Sequence, residues 1–136
     1  MEQVKTPLEH VIRIDSEEFK VSVLGTKAGD GSVSLDGGDL LRAQREVGLE
    51  LILRYKDART LKPAYFNFLV SISGLRGKEL AEYLQVEPSN ISQWRREKGI
   101  SAVAWQAFRM LFFDLFKNGK VTNEILLSNR AKPEVA

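Results

Sequence analysis

The chain has 136 residues, 43 % of them hydrophobic, which is enough for a packed core and excludes wholesale disorder. It holds no cysteine and a single histidine, so disulfides, Cys-ligated zinc and thiol catalysis are excluded, and the absence of thiols fits a reducing cytoplasm. Twenty basic against eighteen acidic side chains leave a formal charge of +2, which by itself selects no partner.

No apolar run approaches the roughly 18 residues needed to cross a bilayer. Met1-Glu2-Gln3-Val4-Lys5 lacks the basic-then-apolar order of a signal peptide. The expectation is a cytoplasmic, nucleoid-associated chain with no membrane partner.

The first third reads as β. Val11-Ile12-Arg13-Ile14 is a β-branched run; Phe19, Val21 and Val23 alternate with polar neighbours, and so do Val33 and Leu35. Asp15 to Glu18 and Gly25 to Gly31 are rich in turn formers and predict the connectors of a two- or three-stranded antiparallel sheet. Such a sheet needs a helix to lean on. Asp36-Gly37-Gly38 predicts a turn, and Asp39 an N-cap for a helix from Leu40 to Tyr55. Gly48 weakens that helix by about 1 kcal/mol relative to Ala.

From Lys62 onward the spacing is helical throughout. Pro63 suits a first turn and Gly74 a stop. Lys78 to Gln85 and Pro88 to Glu97 predict two short helices, Ala102 to Lys117 a long one, and Asn123 to Leu127 a last short one capped by Thr122. The fold expected is α+β. A small N-terminal antiparallel sheet plus helix (residues 1–58) serves dimerisation or partner binding. An all-α helix-turn-helix domain of about five helices (59–128) follows, then a flexible tail (129–136).

Residues 77–98 carry the functional signal. Two short helices crossing over a tight turn need a small residue at the crossing, which is Ala81, and an apolar residue tucked under the turn, which is Val86. Leu80, Leu84, Ile91 and Trp94 complete the core of this unit. The outer face of the second helix is then Ser89, Asn90, Ser92 and Gln93, side chains that hydrogen-bond base edges in a major groove. Arg76, Lys78, Arg95, Arg96 and Lys98 flank it, placed for phosphates. Over residues 56–99 eight bases against five acids leave an excess of three. Two amphipathic helices of an ordinary bundle share parts of this pattern. The agreement of small residue, turn, Pro-Ser-Asn start and flanking bases favours DNA.

Gly74-Leu75-Arg76-Gly77-Lys78-Glu79-Leu80-Ala81-Glu82-Tyr83-Leu84-Gln85-Val86, with Glu87 to Arg96 after it, resembles the XRE/Cro family of helix-turn-helix regulators. Leu61-Lys62-Pro63 and Ala104 to Leu111 are similar to the DNA-binding half of MqsA/YgiT-type antitoxins. The resemblance covers residues 61–116 and implies a sequence-specific double-stranded DNA-binding regulator, an (auto)repressor acting as a homodimer. The alternative it implies is an antitoxin-like module that neutralises a protein partner. This chain departs from the family pattern at Gln85, where Gly is usual, at Gly77, where Gln is common, and at Arg95, where an acid is common. It also lacks the cysteines of the antitoxins' zinc domain.

The helix over residues 102–117 is apolar nearly all round, which means burial on more than one side. Val103, Trp105, Met110, Phe112 and Phe113 are the candidates for a dimer contact that sets paired recognition helices about 34 Å apart. The competing reading has the N-terminal helix covering that side within one chain. The lone His10, the Gly/Lys stretch from Gly25 to Ser32 and the scattered Asp30, Asp36 and Asp39 match no catalytic, phosphate-binding or calcium pattern. No cofactor, metal or enzymatic role is expected.

Overall fold

A computed structural model of the protein describes residues 4–96 and 99–116. Three antiparallel strands in the order β1-β2-β3 open the chain: β1 (Thr6–Ile14), β2 (Glu17–Lys27) and β3 (Val33–Leu35). Five α-helices follow: α1 (Gly37–Arg54), α2 (Pro63–Ser73), α3 (Gly77–Leu84), α4 (Pro88–Arg96) and α5 (Ala102–Phe116), with a short 3₁₀ turn at Ala58–Thr60 between the first two. The expected α+β architecture is thus observed, with the sheet at the N-terminus. The helix expected over 123–127, the tail 129–136 and Lys98 lie outside the described residues.

The β1–β2 hairpin closes on Ile14 opposite Glu17, with Asp15 at φ 57° in the turn. Alternation works as the sequence predicts: Ile12, Ile14, Phe19 and Val23 face the core. Two expectations need correction. β2 does not end before Gly25 but continues to Lys27, because Gly25 is needed as a strand residue. A Cβ there would lie 2.7 Å from the Ser34 carbonyl oxygen on β3. The N-cap of α1 is Asp36, not Asp39. Its carboxylate accepts from the Asp39 N–H at 2.9 Å, so Gly37 and Gly38 belong to the first helical turn. Asp39 is released to reach the sheet, accepting from the Leu24 N–H at 2.7 Å.

A continuous apolar core crosses residue 58, running from Ile12 and Phe19 through Val47, Leu51 and Ile52 to α2 and α5. Its heaviest part is aromatic. Phe108 lies 5.5 Å from Phe66, 5.8 Å from Trp105 and 6.0 Å from Phe112, centroid to centroid, and Phe112 lies 4.8 Å from Phe116. Gly48 is explained here. A Cβ on it would stand 2.6 Å from Phe112 and 2.9 Å from Ile72, so α1 can lie against α2 and α5 only because that side chain is missing.

Helix ends leave carbonyls without intrahelical partners, and this chain supplies partners from neighbouring helices. Ile52, Tyr55 and Lys56, at the end of α1, accept from Arg109 Nε (2.6 Å), Trp105 Nε1 (2.7 Å) and Gln106 Nε2 (2.7 Å) of α5. At the end of α2, Ile72 accepts from Arg45 Nε of α1 at 2.8 Å. Arg45 is buried, its guanidinium 4.6 Å from the Phe116 ring centroid, and burial pulls its pKa down to about 10. It therefore remains charged at neutral pH, where a cation suits the negative end of α2.

Candidate nucleic-acid interface

α3 and α4 are joined by a tight turn over Gln85, Val86 and Glu87. The Arg76 N–H donates to the Glu79 carboxylate at 3.1 Å, which secures the start of α3. Its end is a left-handed cap. Gln85 sits at φ 55°, ψ 47°, its N–H donating to the Glu82 carbonyl, while the Val86 N–H reaches back to Ala81 at 3.0 Å. This is the Schellman arrangement, whose C′ position favours glycine. Gln85 adopts it at a cost of about 1–2 kcal/mol for an L-residue in that region.

The inner side of the pair is as the sequence predicts. Leu80, Ala81, Ile91 and Trp94 are buried, with Leu84 and Val86 half-buried against them. Ala81 is the small residue expected at the helix crossing and is buried, and Trp94 meets Phe66 of α2 edge-on at 6.2 Å. That contact fixes the rotation of α4 about its axis and so decides which residues face out. Ser89, Ser92 and Gln93 are exposed and Asn90 is half-buried. The structure thus brings together all four sequence-predicted polar residues on one short helix.

Arg76, Lys78, Arg95 and Arg96 are exposed around this face. Elsewhere six cations have acidic partners, Lys5 with Asp36, Arg13 with Glu18, Arg42 with Asp39 and Glu46, Arg54 with Glu17, Arg59 with Asp57 and Lys62 with Asp15, while Lys20, Lys27, Arg45, Lys56 and Arg109 have none among the described residues. Among the described residues, none of the four around α3 and α4 has an acidic partner within ion-pair distance. Arg96 Nε lies 3.3 Å from the Ser92 carbonyl of its own helix. Arg95 is positioned by a residue that sequence reasoning missed. Its Nε donates to Asn67 Oδ1 at 2.9 Å, and Asn67 Nδ2 donates to the Arg95 carbonyl at 2.7 Å. Asn67 stands on α2, and no local spacing connects it to α4.

The proposed dimer residues divide. Val103, Met110 and Phe113 are 83 %, 69 % and 42 % exposed, but Trp105 and Phe112 are 0 % and 1 % exposed. These two are corrected to core residues. α1 takes the second side of α5 within the same chain, Trp105 bonding the Tyr55 carbonyl and Phe112 filling the space above Gly48.

Among the described residues no helix is long and apolar enough to cross a membrane, and no cluster of His, Cys, Asp and Glu side chains could hold a metal ion. No family model, curated protein or solved structure matches the chain.

Proposed function

We propose that the chain is a sequence-specific double-stranded DNA-binding regulator, an (auto)repressor acting as a homodimer and entering the major groove with α4. The observation that carries this reading is a short helix with a polar outer face and exposed, acid-free cations on it and on α3. Ser89, Ser92 and Gln93 are exposed on α4, and the exposed Arg76, Lys78, Arg95 and Arg96 have no acidic partner among the described residues. Unpaired cations keep their full attraction for phosphate. In this reading Ser89, Asn90, Ser92 and Gln93 meet base edges and the four cations, together with Lys98, meet the backbone.

Titration of the protein against DNA from upstream of its own gene, at two salt concentrations, tests it. Gln93→Ala costs about 1–3 kcal/mol on the preferred sequence and relaxes the choice at one base pair. Arg96→Ala weakens every sequence alike and lowers the salt slope by about 1. No binding to any duplex at low salt ends the proposal.

A second reading, an antitoxin-like module that neutralises a protein partner, is favoured by a different feature. An open groove of about 380 Å³ between α1 and α5 is lined by Leu53, Met110 and Phe113 beside Arg109 and Asp114. Apolar side chains with a charged rim are the make-up of a protein contact.

A further inference from the structure

The sheet has two edges, and the chain treats them differently. Beyond β3, the edge of β2 is tied at Ser22 and Leu24 to polar groups at the start of α1. The Ser22 carbonyl accepts from Arg42 at 2.8 Å, the Leu24 N–H donates to Asp39 at 2.7 Å, and the Leu24 carbonyl accepts from the Asp36 N–H at 2.8 Å. These bonds also fix the phase of the ladder. Even-numbered residues of β2 turn their N–H and C=O away from β1, so odd-numbered ones turn them toward it. The register pairs Ile14 with Glu17, Ile12 with Phe19 and His10 with Val21. Glu9, Val11 and Arg13 therefore present their backbone groups to the open side of β1.

No described residue hydrogen-bonds those groups. Their side chains are exposed, Val11 by 38 %. A bare row of this kind is a template for another strand unless it is blocked. Among the described residues the backbone of the row is interrupted at Pro7, at its beginning, which has no N–H to offer.

We infer that β1 pairs antiparallel with β1 of a second copy, about a two-fold axis at Val11, and joins the two sheets into one. In this register Val11 faces its own copy, and Glu9 faces Arg13 on both sides of the axis. Arg13 already meets Glu18 on β2, so the pairing extends a ladder of alternating charge. All three residues with open backbone groups then face one another, each such pair exchanging both N–H···O bonds. On the core side Leu8 falls opposite Ile14, and His10 opposite Ile12, so the apolar face continues across the axis.

Neighbouring registers are worse. A shift one way sets Pro7, without a donor, opposite Arg13. A shift the other way sets Glu9 opposite Asp15 in the hairpin turn, acid against acid. Because the pairing is about a two-fold axis, it uses the same strand of both copies, so the contact is self-complementary and this edge is filled at two copies. It gives the proposed regulator its two-fold contact, and it holds whether or not the chain binds DNA.

Sedimentation velocity and amide exchange on the full chain test this. The chain dimerises as concentration rises, and the Glu9, Val11 and Arg13 amides slow in step. Val11→Pro is monomeric with its circular dichroism and melting temperature retained, because the lost N–H faces outward. Should that variant unfold, the charge pair decides. Glu9→Lys weakens the dimer about tenfold by setting Lys against Arg13, and Glu9→Lys with Arg13→Glu restores it. A chain still monomeric at about 0.5 mM, where even small specific interfaces form, overturns the inference. So do a folded Val11→Pro variant that still dimerises and a double variant no tighter than the single. A monomeric wild type that shifts DNA defeats this inference and the homodimer of the proposed regulator but leaves DNA binding; a dimer that shifts none defeats the DNA reading alone.

Discussion

The sheet side and the helical side of this molecule are held by different forces. Where β2 meets α1 the ties are charged. Asp39 accepts from Leu24 and from Arg42 at 2.7 Å, Arg42 continues to Ser22, Lys5 reaches Asp36, and Arg54 grips Glu17, which also accepts from Tyr65 at 2.8 Å. Where α2, α4 and α5 meet, the ties are rings: Phe66, Trp94, Trp105, Phe108, Phe112 and Phe116. Charged ties at the surface respond to salt and pH and are individually weak. Buried rings respond to shape and volume. The strands and α1 also share apolar packing through Ile12, Phe19, Val47 and Leu51, whereas the short helices α3 and α4 rest on the ring cluster. The difference leaves the outward face of α4 free of structural duty.

Three measurements sharpen this contrast. The largest effect belongs to the rings. Phe108→Ala opens the centre of the cluster and costs about 3–5 kcal/mol, read as a fall in the urea midpoint. A loss near that of an exposed position would show that the cluster is not the main tie.

Next comes the place where the two sides meet. Gly48→Ala puts a methyl group against Phe112 and Ile72 and destabilises by about 1–3 kcal/mol. This is the reverse of the gain that alanine brings in an open helix. Increased stability would mean that α1 has room to move away from α5.

The smallest effect is acid sensitivity. The Arg42 guanidinium and the Leu24 N–H hold Asp39 down at about 2, against an ordinary 3.8, and Arg54 and Tyr65 hold Glu17 below its ordinary 4.5. A carboxylate depressed in the folded state is protonated first in the unfolded chain. Its stabilisation is therefore complete above about 4.5 and disappears as pH falls toward 2. The melting temperature should decline through that window, and Asp39→Asn, which keeps an acceptor but no charge, should flatten the decline. An unchanged slope in the variant would remove Asp39 from the account.

Much of this architecture is legible in local spacing. Lys62-Pro63 and Gly74 bracket α2, and Ala81, Ile91 and Trp94 sort the inner face of α3 and α4 from the outer. The residues that escaped are those whose role depends on another element. Gly48 looks like a flaw in a helix until Phe112 is placed beside it. Arg45 looks like a surface cation until the end of α2 meets it, and Asn67 looks neutral until Arg95 arrives from α4. Asp39 was a reasonable cap by sequence, but Asp36 had the same chemistry one turn earlier and freed it for β2. The bare edge of β1 is likewise invisible in a sequence that alternates equally well for an inner strand.

The indole of Trp105, bonded to the Tyr55 carbonyl, has one more consequence. Both tryptophans of the chain, Trp94 and Trp105, lie in the helical part, and its three tyrosines, Tyr55, Tyr65 and Tyr83, all follow the sheet. Long-wavelength fluorescence of the unlabelled protein therefore comes from the helices alone, and the strands are dark to it. Trp94 follows Gln93 directly in α4, so with Trp105→Phe the remaining emission becomes a built-in optical probe of the helix proposed to enter DNA.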